Sequence, residues 1–178
     1  MFSLILKNKY WPVLKFLLIF SLFSVPLYLV LYSPLSLMPL QTTIANQIAK
    51  LLTLSGIPSF NQSNLLIFKT RTGVLLKIVI IRECVGWVSM LAFVALIFAT
   101  PRVDKKYRLL GFLIGLPIIW IVNLIRLFTT FYIVYLYGLN YFELVHTFLW
   151  RVSLILFIFG LWLAWFKISK REMEYKWL

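Results

Sequence analysis

Apolar side chains run almost unbroken from Val13 to Tyr32, from Val85 to Thr100, from Leu109 to Tyr137 and from Leu144 to Phe166, with short polar or basic stretches between. As helices rising about 1.5 Å per residue, runs of this length approach or exceed a hydrocarbon core of about 30 Å. The pattern predicts an all-α polytopic membrane protein, a single membrane domain over residues 1–178, with spans at 13–32, 84–100, 109–137 and 144–166. Ser33-Pro34 follows the first run without a small-residue cleavage pattern, which favours a membrane anchor over a removed signal peptide. In the third run Gly111 and Gly115 stand at the spacing that lets helices approach closely.

Between the first two runs the pattern changes. Pro34, Pro39, Gly56 and Pro58 interrupt residues 33–83, and polar residues recur. Ile44, Ile48, Leu51 and Leu52 repeat at helical spacing, with Gln47 and Lys50 on another face. Thr42 or Thr43 supplies a cap, Gly56 and Pro58 a stop, and the product is an amphipathic helix lying along the membrane surface. Leu65–Phe68 and Val74–Ile81 are β-prone runs around Thr70-Arg71-Thr72-Gly73, which predicts a short hairpin leading into Cys84.

Composition agrees with a membrane class: 62% of residues are hydrophobic, and mean hydropathy is +0.95. The net charge of +13 invites a nucleic-acid reading. The basic residues, however, lie in short clusters flanking apolar runs and form no continuous stripe, so membrane lipids are the expected counter-charge and nucleic acid is not a partner. Lys7, Lys9 and Lys15, then Arg102, Lys105, Lys106 and Arg108, then Lys167, Lys170, Arg171 and Lys176 mark one side of the membrane. By the positive-inside rule both termini and the 102–108 loop are cytoplasmic, and the 33–83 segment lies outside the cell. One cysteine, one histidine and five carboxylates supply too few ligands for an ordinary metal site, and no cofactor is implied.

On that topology three reactive side chains share one depth. Cys84 lies at the outer end of the second span, Arg126 in the outer part of the third and His146 at the outer start of the fourth. A charge inside a span costs about 2.5–3.5 kcal/mol on insertion scales, so Arg126 must face protein or water. Asn123, three residues earlier, is placed to orient its guanidinium. Glu143 is a partner for Arg126 or for the His146 ring, and Arg151 is a second cation for the same pocket. Together they suit acyl transfer: a thiol nucleophile, a cation for the developing oxyanion and a histidine to carry protons. The alternative is a non-enzymatic structural or small-solute transport protein with a buried Arg126/His146 pair, in which Cys84 is dispensable.

Cys84-Val85-Gly86, then Asn123-Leu124-Ile125-Arg126, then His146, in that order and at those depths, resemble the exosortase/archaeosortase family; Gly56-Ile57-Pro58 and the β-prone stretch resemble its external segment. The resemblance covers about residues 45–155. It implies a membrane cysteine transpeptidase, a thiol protease in its first half-reaction. The expected substrate is a surface protein with a C-terminal sorting signal of short motif, hydrophobic helix and basic tail, passed on to a lipid or another acceptor. Cys84 carries over as nucleophile, Arg126 as transition-state stabiliser and His146 as proton carrier. Some archaeal members carry an arginine at the third position, which makes Arg151 a rival to His146.

Overall fold

The computed structural model describes residues 11, 13–22, 25, 36–139, 142 and 153–175. Its elements are α1 (Val13–Leu22), α2 (Met38–Leu54), β1 (Ser59–Gln62), β2 (Leu65–Lys69), β3 (Leu75–Val79), a 3₁₀ turn (Arg82–Val85), α3 (Trp87–Ala99), α4 (Lys105–Tyr137) and α5 (Leu154–Tyr175). Two compact units result. One draws its described residues from 1–34, 88–117 and 157–178, the other from 35–87 and 118–156.

The expected all-α bundle of four spans is not what forms. Among the described residues one helix, α4, is long and apolar enough to cross a membrane. The expected span 84–100 is helical only over the 13 residues of α3, about 20 Å of rise, because the 3₁₀ turn takes up Arg82–Val85 and a left-handed Gly86 separates the two. Of the expected span 144–166, residues 144–152 lie outside the described residues, and from Leu154 on it belongs to α5, which carries Lys167, Lys170 and Arg171 in its second half. Of the expected 13–32, α1 accounts for Val13–Leu22. Residues 59–79 add a second departure, a three-stranded antiparallel sheet of order β1-β2-β3 where a two-stranded hairpin was expected. Nor do Thr42 or Thr43 cap α2. The helix begins four residues earlier with Pro39 in its first turn, and the Thr43 hydroxyl donates back to the Pro39 carbonyl at 2.8 Å.

The unit containing the sheet has a continuous apolar core. Ile44, Ala45, Ile48, Ala49 and Leu52 form the buried stripe of α2; Ile44, Ile48 and Leu52 are there as the spacing predicts, whereas Leu51 of the same repeat is exposed. They pack on Leu66, Phe68 and Leu76 of the sheet and on Leu127, Phe131 and Val134 of α4. Leu66 pairs with Ile78, and Phe68 with Leu76, so the two-residue period of the strands sends these four to one face. Phe68 meets Phe131 edge to face at 6.3 Å. Each fully buried Leu, Ile or Phe here is worth about 1.5–3 kcal/mol. Gln41, on the same buried stripe, donates from Nε2 to the Ile80 carbonyl at 3.0 Å, and Asn64 Nδ2 donates to that carbonyl at 3.2 Å. The stretch between β3 and the 3₁₀ turn is thereby pinned on two sides.

In the other unit helices meet at small residues. A Cβ at Gly115 would collide with the Phe93 ring, and one at Gly111 with the Trp165 indole, the close approach that the glycine spacing predicts. Trp165 Nε1 donates to the Tyr107 carbonyl, and Trp162 Nε1 to Thr100 Oγ1, both at 2.9 Å. Arg108 closes the C-terminus of α3, donating to the carbonyls of Phe98 at 2.6 Å, Thr100 at 2.8 Å and Val103 at 3.1 Å.

Candidate active site

Cys84 sits within the 3₁₀ turn, and its backbone N–H donates to the Ile81 carbonyl at 3.0 Å. The residue is only 7% exposed. Gly86 then reverses the chain at φ +80°, in the left-handed region that side chains disfavour, and hands it to α3. Asn123 of α4 is completely buried, and its Nδ2 donates to the Cys84 carbonyl at 2.9 Å. The turn carrying the thiol is thus tied to α4 through backbone, leaving Sγ uninvolved.

The Cys-x-Gly spacing has a steric reason. A Cβ on Gly86 would lie 3.0 Å from Asn123 Cγ and 3.2 Å from both amide heteroatoms. Glycine is therefore required twice at this position, for its φ and for the approach of Asn123. Gly86→Ala should cost roughly 1–2 kcal/mol for the left-handed conformation, with the Asn123 contact adding to it. Thermal unfolding in detergent should show a lower melting temperature, accompanied by faster alkylation of Cys84 as the turn loosens; an unchanged profile would refute this account of the turn.

Arg126 follows Asn123 by three residues on the same side of α4 and is 7% exposed. Its backbone carbonyl accepts from Thr130 Oγ1 at 2.9 Å. Burial pushes the Cys84 thiol above its ordinary pKa, while a backbone hydrogen bond at Ile81 and the Arg126 charge pull it down and Glu83 raises it. A thiol in that balance rests protonated at neutral pH and needs a base to become a nucleophile. Among the described residues, buried Asn123 Oδ1 has no donor and buried Trp87 Nε1 no acceptor.

The structure thus brings together Cys84, Asn123 and Arg126 of the predicted set; His146, Glu143 and Arg151 lie outside the described residues. Asn123 lies on the same side of α4 as Arg126, as the spacing predicts, and its Nδ2 holds the cysteine's carbonyl. Sequence reasoning passed over Gln41 and Asn64, which steady Ile80 just ahead of the turn. Gln41 falls in register with Ile44, Ala45 and Ile48, and an amide within an apolar stripe was the available signal.

One apolar helix, α4, is long enough to cross a bilayer, and it carries a buried amide bonded to the Cys84 carbonyl and a buried guanidinium one turn further on. The chain belongs to the transmembrane exosortase family, whose model (Exosortase_EpsH) matches residues 2–166. It is accordingly a membrane transpeptidase of the exosortase type. Neither curated proteins nor solved structures give a match.

Proposed function

We propose that the protein is a cysteine transpeptidase that cleaves a C-terminal sorting signal from surface proteins and transfers them to a lipid or other acceptor, with Cys84 as nucleophile, Arg126 as oxyanion partner and His146 as proton carrier. The observation that carries this reading is the convergence of α4 on the thiol-bearing turn: Asn123 binds the Cys84 carbonyl, and the Arg126 charge acts on the thiol. A buried cation next to the only thiol is costly to maintain for packing alone.

The chemistry runs in two halves. His146 takes the thiol proton as Cys84 Sγ attacks the scissile carbonyl, and Arg126 stabilises the oxyanion. Collapse breaks the C–N bond, the histidine's proton passes to the departing amine of the hydrophobic tail, and a thioester remains on Cys84. An acceptor amine or hydroxyl, deprotonated by the same histidine, then attacks the thioester and restores the thiol. On this reading Asn123 positions the turn by its carbonyl, Glu143 is assigned the orienting of the His146 ring, and Arg151 is the alternative third residue. The experiment that tests this is intact-mass measurement of the enzyme after brief exposure to a sorting-signal peptide, looking for an acyl adduct on Cys84 that hydroxylamine removes. Turnover without any such adduct in enzyme trapped during the reaction would remove the covalent mechanism.

The basic cluster at Arg102, Lys105, Lys106 and Arg108 supports a cytoplasmic position for the N-terminal end of α4, with both termini on that side by the same charge count, in the cell membrane. Cys84 and Arg126 then belong to the extracytoplasmic face. Because Cys84 is the sole thiol, a membrane-impermeant maleimide reports this directly. Intact cells should label slowly, as a buried thiol must, and opening the cytoplasmic face should add nothing. Labelling that requires access to the cytoplasmic face would reverse the orientation.

A further inference from the structure

Away from the thiol, two cavities flank the segment that follows α3. The first, about 340 Å³, is lined by Lys15, Arg102 and Arg108 together with Trp11, Ile19 and Phe98. No carboxylate is among its described lining residues. The second, about 300 Å³, is lined by Val13, Phe16, Trp162 and Phe166. Thr100 and Pro101 belong to the walls of both, so a cationic chamber and an aromatic one share a partition. Trp162 braces that partition by its hydrogen bond to Thr100 Oγ1, and Phe16 stands 6.4 Å from the Trp162 ring.

Two features indicate that the positive charge is built in. Arg108 is immobilised by its three carbonyl bonds, which fix a guanidinium in the cavity wall. Arg102 is held at φ +57°, a left-handed conformation that costs a non-glycine residue stability and persists only where the surroundings enforce it. A glycine would suit that backbone better, yet the position carries a cation. Like charges gathered with no carboxylate among the described lining residues repel one another, and an anion entering the chamber relieves that repulsion.

We propose that this unit binds one anionic phospholipid, its phosphate among Lys15, Arg102 and Arg108 and part of an acyl chain in the chamber of Phe16, Trp162 and Phe166. A free anion would satisfy the first chamber and leave the second without an occupant. An uncharged lipid would do the reverse. A phospholipid with net negative charge has both parts at the separation that one shared wall imposes. Exposed Val13, Leu14, Leu17 and Leu18 on α1 provide an apolar surface on which the rest of the chain can lie.

The proposal stands apart from the peptide chemistry, and its test uses no substrate. Full-length protein purified in neutral detergent is titrated with phosphatidylglycerol, phosphatidylcholine or inorganic phosphate, and the melting temperature is followed. Phosphatidylglycerol should raise it saturably by a few degrees, and the other two should not. Lys15→Gln combined with Arg102→Gly should abolish most of that rise. Arg102→Gly alone removes a charge and a strained conformation together, so in lipid-free detergent it should melt no lower than the parent while responding less to phosphatidylglycerol. Three results would each overturn the proposal: a full response in the double variant, an equal response to phosphatidylcholine, or a response that inorganic phosphate alone reproduces.

Discussion

Cys84→Ala should abolish processing of a sorting-signal substrate while the amount of enzyme in the membrane stays close to that of the parent. The thiol is buried, so its removal leaves a small void and costs some stability, but the truncation deletes a single Sγ and the cost should stay at or below about 1–2 kcal/mol. The Asn123 bond to the Cys84 carbonyl involves backbone and survives the substitution. Cys84→Ser is the sharper comparison. It retains size and hydrogen-bonding capacity but replaces the thiol by a hydroxyl that is far harder to ionise, so cleavage should fall below detection although substrate still binds. Gel-shift assay of substrate in membranes containing matched amounts of each variant makes the measurement. Normal processing by the alanine variant would return Cys84, Asn123 and Arg126 to a structural role.

Arg126→Lys should lower kcat/KM by about a hundred- to a thousand-fold, the usual cost of losing one oxyanion donor. Charge is conserved in this variant, so any electrostatic effect on insertion is conserved with it. What disappears is the planar fork, which presents two donors at once to an oxyanion, whereas an ammonium is a point charge on a flexible stem. A merely structural Arg126 would tolerate the exchange, and full processing by the lysine variant would show that. Both variants should be compared at equal membrane abundance, because a buried cation placed differently can also change the yield of folded protein.

The residues that met at the site were legible because their chemistry is rare. A single thiol, an arginine within an apolar run and an asparagine one turn before it are conspicuous against Leu, Ile and Phe. Their roles were less so. Spacing of three residues places Asn123 and Arg126 on one side of a helix, where the amide can orient the guanidinium; two side chains on one side can equally both face a third element, which here is the Cys84 turn. The α2 stripe and the strands around Thr70–Gly73 followed from periodicity and turn chemistry. Strand β1 did not, since Ser59-Phe60-Asn61-Gln62 has one large apolar residue and no alternation to read. Span lengths failed for another reason. An apolar run measures what can be buried, whereas a helix ends where the backbone turns, and Gly86 divides the run beginning at Cys84 without lowering its hydropathy.

The sheet also constrains where catalysis can occur. With the order β1-β2-β3, β1 and β3 each keep one side unpaired among the described residues. Ile80 and Val74 turn their backbone toward the β2 side, where the Ile80 N–H donates to the Asn64 carbonyl and the Val74 carbonyl accepts from Thr70. By alternation Leu75, Lys77 and Val79 present theirs to the open border. Several bare amides immersed in lipid tails would cost several kcal/mol each, so a border left open in this way is expected among headgroups and water. Only four residues lie between Val79 and Cys84, so on the proposed reading the thiol is expected in the wet rim of the bilayer. If the proposed transpeptidase reaction runs here, a scissile bond has to leave the hydrocarbon to be cut, and the depth of the sheet sets which bond comes within reach.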